Sequence, residues 1–107
     1  MEKDVLGGSF DLSVVIAGDK LMERLNTVYR KKEGTTNVLS FPLSDDSGEI
    51  FINRTLAKKE AKEAGVSEKD YTEYLLLHSL LHLKGFDHGA KMKKKEDNLL
   101  RKYGINL

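Results

Sequence analysis

The spacing of apolar positions along the chain changes several times, and each change predicts an element. Residues 10–17, FDLSVVIA, are rich in β-branched side chains and predict a strand. Asp19 follows as the expected N-cap of a helix over residues 20–29, where Leu21, Met22, Leu25 and Val28 recur at helical spacing. Gly34 and Thr35 interrupt that pattern. Residues 37–41, NVLSF, predict a second strand that Pro42, the only proline, is expected to stop, because it has no N–H for a ladder. Residues 44–48 read as a turn and residues 49–52 as a third strand. Asn53 or Thr55 then caps a helix to residue 64, ended by Gly65. Ser67 and Asp70 form a capping box of the S-x-x-D kind, opening a helix that runs to residue 84 with Gly85 as its C′ residue. A last helix is predicted over residues 91–103, its apolar side made by Met92, Leu99 and Leu100.

Strands first, with helices between and after them, predict an α+β fold: a small mixed β-sheet packed with helices. At 107 residues, 39% hydrophobic and 33% charged, the chain is expected to be a single domain over residues 1–107 with a modest core. No apolar run approaches the length of a membrane span. The opening MEKDVLGG carries no apolar segment behind its charges, so a cytoplasmic protein is the expectation. The absence of cysteine removes disulfides and thiolate metal sites, leaving imidazole, carboxylate and water as possible ligands. Net charge is only +1, which argues against a whole-surface grip on nucleic acid. The charge is nevertheless uneven. Residues 89–107 carry six basic side chains against two acidic ones, and Arg30, Lys31 and Lys32 form a second cluster. Such runs are more often solvated faces than binding sites, so alone they are weak indications.

The chemistry concentrates in residues 78–88, HSLLHLKGFDH, which hold every histidine. His78 and His82 stand four apart on a predicted helix, so both imidazoles leave the same face. Gly85 ends the helix and lets His88 return toward the same point. Three imidazoles with one open position form the layout of a catalytic rather than a closed structural zinc site, and water in that position has its pKa lowered to about 7. A lone histidine on an apolar helix is usually a hydrogen-bonded core residue. Two imidazoles among Leu75, Leu76, Leu77, Leu80, Leu81 and Leu83, with a third at the right offset, favour a metal. Asp87 reads either as an acceptor for an imidazole N–H or as a turn residue. The spacing is also that of the metzincin proteases, H-E-x-x-H-x-x-G-x-x-H. Ser79, however, occupies the position of their general-base glutamate, and an alcohol cannot take the proton from an attacking water. A phosphodiester fits the frame better, since its chemistry needs a Lewis acid and a cation near developing charge.

Two blocks then resemble one family. HSLLHLKGFDH is similar to the signature H-G-x-L-H-L-x-G-Y-D-H of the YbeY-type endoribonucleases. YRKKEGTTNVLSFP, residues 29–42, is similar to their Y-R-x-x-x-x-P-T-N-V-L-S-F-P, and Gly48-Glu49-Ile50 to their G-[DE]-I. Order and spacing agree from about residue 10 to the end. Ser79 replaces the usual glycine, Thr35 the usual proline and Phe86 the usual tyrosine. The resemblance implies an α+β fold with one zinc ion per chain held by His78, His82 and His88 on a central helix. It also implies single-strand-specific endoribonuclease activity in maturation of small-subunit rRNA and in ribosome quality control. By position, Arg30 and His78 are the implied catalytic residues. Arg30, Lys31 and Lys32 are candidates for binding RNA, and the small ribosomal subunit or its proteins are the implied partners. A guanidinium suits the task at Arg30, because it stays charged and can grip two phosphate oxygens in parallel. Three imidazoles would also suit nickel or iron, and the residues leave both water and the RNA 2′-hydroxyl as nucleophile. The competing reading is a non-catalytic, metal-stabilised ribosome assembly factor that binds rRNA.

Overall fold

Alternate residues of one strand organise the interior. In the computed structural model, which describes residues 5–86 and 89–107, strand β3 (Ser47–Asn53) lies between β1 (Asp11–Ala17) and β2 (Val38–Ser44). It runs parallel to β1 and antiparallel to β2, so the sheet is mixed. Ile50 and Ile52, both almost fully buried, belong to the larger core with Leu75, Leu77, Leu80, Leu81 and Met92. Phe51 points to the other face and packs in a smaller core around Met22, Leu39 and Ala17. This alternation is what a strand with helices on both faces requires. Gly48 has its own reason: a Cβ there would stand 3.1 Å from a Leu83 methyl carbon and 3.3 Å from the Phe10 ring. The glycine lets the C-terminal part of the long helix lie close to the sheet.

Among the described residues four helices of eleven or more residues accompany the sheet: α1 (Asp19–Arg30), α2 (Arg54–Ala64), α3 (Glu68–Lys84) and α4 (Ala90–Lys102). The α+β class agrees with the pattern of the sequence. Helix α3 is the central one: it contacts α2, α4 and both strands β2 and β3. Its ends follow the sequence signals. Ser67 accepts the Asp70 N–H at 3.0 Å. Gly85 takes φ 107°, and the next residue, Phe86, returns its N–H to the Leu81 carbonyl at 3.0 Å.

Several expectations need correction. Pro42 does not stop its strand, which continues to Ser44. Strand β2 is an edge of the sheet, where a missing N–H is tolerated, and the register is irregular between Pro42 and Ser44. The turn therefore shrinks to Asp45 and Asp46, tied by the Ser44 hydroxyl donating to Asp46 Oδ1 at 2.8 Å, and β3 begins two residues early. Asp19 is not an N-cap either. Gly18 holds that position without a side-chain bond, and Asp19 is the first helical residue. Its carboxylate is engaged elsewhere, accepting from the Asn53 amide and, at 3.5 Å, from the Thr35 hydroxyl. Asn53, fully buried, is the cap of α2, its Oδ1 accepting the Leu56 N–H at 3.1 Å. The same amide also donates to Thr35 at 2.9 Å. The first strand starts at Asp11 rather than Phe10, and the last helix spans 90–102 rather than 91–103.

Candidate metal centre and cleft

Helical spacing alone brings two imidazoles together. His78 and His82, one turn apart on α3, place their Nε2 atoms 3.2 Å from each other with ring planes at 82°. What the other nitrogens do fixes their chemistry. His82 Nδ1 lies 3.2 Å from the Phe86 carbonyl oxygen. A carbonyl only accepts, so that nitrogen carries the proton, and neutral His82 has its lone pair on Nε2. His78 Nδ1 lies 2.8 Å from a carboxylate oxygen of Glu96 on α4, which orients His78 in the same way. The two Nε2 atoms, 3.2 Å apart, are then placed to share a proton or a cation between them. The donor set fits a metal with imidazole ligands, each supported by an acceptor behind it. His88 and Asp87 lie outside the described residues. Among the described residues, no group of three or more histidine, cysteine, aspartate or glutamate side chains could hold a metal ion, so what is described of the frame is its helical pair.

The pair opens onto a cleft of about 490 Å³ between α3 and β2. Its walls include Tyr74, Ser79 and residues 36–40, and Arg30 at the C-terminus of α1 completes it. Arg30 is carried there by the way α1 ends. Lys31 adopts a left-handed conformation with φ 55°, and the Lys32 N–H returns to the Asn26 carbonyl at 3.2 Å. The buried Asn26 amide also donates to the Gly34 carbonyl at 3.1 Å, holding the following loop against the helix. Among the described residues Arg30 takes part in no ion pair, while Lys31 and Lys32 are exposed and do not line the cleft. Ser79, 1% exposed, is packed beneath the histidines where the helix meets the sheet.

Two tyrosine rings continue the histidine face of α3. Tyr74 stands 5.9 Å from His78 and Tyr71 a further 5.8 Å along. Burial, then a hydrogen bond to Glu60, push the Tyr71 phenol up to about 12. Burial and the nearby Glu96 charge raise that of Tyr74, so both stay protonated at neutral pH. Neither tyrosine was expected at the site, and Glu96 was missed as well. Its signal is nevertheless present in the sequence: Met92, Glu96 and Leu99 share one helical face, and all three are buried. A single carboxylate in an otherwise apolar stripe needs a partner. The Phe86 carbonyl has no such signal, since any residue supplies one.

The chain is similar to known proteins along nearly its whole length. The family model described as endoribonuclease YbeY matches residues 1–104. A Campylobacter jejuni relative named endoribonuclease YbeY is 40% identical over 106 residues, covering 92% of this chain and 79% of the relative. One from Leptospira interrogans with the same name is 38% identical over 127 residues, covering 92% and 90%. A solution structure of a Thermotoga maritima protein, 23% identical, superposes with a TM-score of 0.68 over 96% of this chain and 76% of that one, which shows a shared fold. With the family model covering nearly its whole length, the chain belongs to the endoribonuclease YbeY family.

Proposed function

We propose that the protein is a zinc-dependent, single-strand-specific endoribonuclease that takes part in maturing small-subunit rRNA and in ribosome quality control, in the cytoplasm. The relatives' shared name supports RNA cleavage. The observation that carries the chemistry is the pair of facing Nε2 atoms, each with its Nδ1 committed to an acceptor, on a cleft that Arg30 also lines. In this reading His78 and His82, with His88, would hold the ion, which would supply Lewis-acid polarisation of a phosphoryl oxygen. The chain supplies the rest. Glu96 and the Phe86 carbonyl keep the imidazoles in one tautomer. Arg30 presents a permanent positive charge to the non-bridging oxygens as negative charge builds on the phosphorus. The rRNA role and the small-subunit partner follow from the family resemblance in residues 29–42 and 78–88.

Elemental analysis of purified protein never exposed to chelator should find one equivalent of zinc, and finding no metal would overturn the site. Single-stranded RNA should be cut by the wild type, and His82→Ala should fall to background. Equal traces of nuclease in the two preparations would remove the catalytic claim. Precursor small-subunit rRNA is the natural second substrate, and a processing defect unaffected by Arg30→Ala would favour an assembly role without cleavage.

A further inference from the structure

Three hollows adjoin along one side of α3, and Tyr74 lines all of them. The first is the cleft with Arg30, His78 and His82. The second, about 240 Å³, lies between Tyr74, His78, Met92 and Glu96. The third, about 420 Å³, continues along α4 past Lys93 and Arg101 to Leu100 and Ile105. Tyr74 therefore stands where the cleft opens toward α4. The His78 and Tyr71 rings beside it are tilted by 40° and 48°, so neither is stacked flat upon it.

We propose that Tyr74 is the platform on which the base of a nucleotide flanking the cleaved phosphodiester stacks, with the strand leaving the cleft along α4. This rests on the RNA-cleaving reading above. One helical turn separates the ring from His78, which matches a base adjacent to the phosphate rather than a distant one. The charge pattern of the outer hollow points the same way. Two cations, Lys93 and Arg101, stand there against two carboxylates, Glu96 and Asp97, with Lys93 paired to Asp97 at 3.1 Å, so no excess of positive charge is left for a grip through phosphates alone. A tyrosine face accepts any base, and it accepts only a base that is out of a duplex stack. The same ring thus binds without regard to sequence and selects for single strands.

The test uses a single-stranded RNA oligonucleotide with a mapped cleavage site, and versions of it with an abasic ribose on one side of that site or the other. Cleavage and equilibrium binding by fluorescence anisotropy are both read. For the wild type, one of the two abasic substrates should bind about 5- to 100-fold more weakly, with KM rising and kcat nearly constant. Tyr74→Leu should lose the same factor on the intact strand and nothing more on the abasic one, while Tyr74→Phe should behave as wild type. The proposal is overturned if neither abasic substrate binds worse, or if Tyr74→Leu discriminates as the wild type does. Should Tyr74→Leu fail to fold, the wild-type abasic comparison still decides. Cleavage without base discrimination removes the platform alone. Discrimination in binding without any cleavage removes the nuclease reading and leaves the platform standing.

Discussion

Among the described residues two polar clusters are each built on one buried side chain, Asn53 in the first and Glu96 in the second, and they are finished differently. Around Asn53 every side-chain atom is used within the chain: Oδ1 caps α2, and Nδ2 serves both Asp19 and Thr35. Around His78 and His82 the outer nitrogens are matched by acceptors, and the inner two lie 3.2 Å apart, within hydrogen-bond distance of each other. The first cluster is chemically closed and joins α1, the loop at Thr35 and the start of α2. The second uses its hydrogen bonds to set two Nε2 atoms side by side on the wall of the cleft. A closed network stabilises the fold, whereas oriented imidazoles on a cleft are placed to act as ligands.

That contrast can be broken at four places. The largest effect is expected at His82→Ala, which should abolish RNA cleavage while shifting the unfolding midpoint of metal-free protein less than any change at Asn53; a collapse of the metal-free fold would make the histidines structural. Asn53→Ala should do the reverse. Losing a cap and two further part-buried hydrogen bonds costs about 2–4 kcal/mol in denaturant unfolding, with cleavage per folded molecule retained. Glu96→Gln keeps the shape and removes the charge behind His78. It should weaken metal affinity about 10- to 100-fold in competition with a chelator, with little change in stability. Unchanged affinity would make Glu96 a packing residue. The smallest effect concerns Tyr71, whose hydroxyl donates to Glu60 at 3.1 Å beside the Asn37 amide. Its pKa is higher in the folded state than the ordinary 10, at about 12, so the fold holds the proton more tightly than the unfolded chain does. The associated stability is complete below pH 10 and is lost as pH rises toward 12. Tyr71→Phe should remove that part of the alkaline slope, measured as the difference between the two proteins' unfolding curves.

What could be read in the sequence was what depends on near neighbours. The boundaries of α3 were legible because Ser67 and Gly85 act within one turn of themselves. The histidine pair was legible because four residues of helix fix its geometry. Asp19 misled for the opposite reason: it has the composition of a cap, but an amide 34 residues away holds its carboxylate. Pro42 misled because its tolerance depends on which strands pair, and an edge position cannot be read from the strand itself. Arg30 became a candidate through the resemblance of its surrounding block, while its approach to the cleft depends on the Asn26 side chain holding the loop beyond it. Glu96 stood outside any motif. Only its place in a buried stripe marked it, and its partner lies 18 residues earlier on another helix.

The two acceptors behind the histidines also differ in when they become available during folding. Phe86 sits four residues beyond His82, and the Gly85 turn that stops the helix delivers its carbonyl. That half of the centre is set as soon as the end of α3 forms. Glu96 reaches His78 only after α4 has docked through Met92 and Leu99. An opening of α4 alone would therefore release His78 and leave His82 aimed. Amide exchange should show this as a sub-global step in which the centre is half dismantled while the core of α3 stays protected. The histidine pair is thus most sensitive to local unfolding of α4, through a residue that meets only the far side of one imidazole.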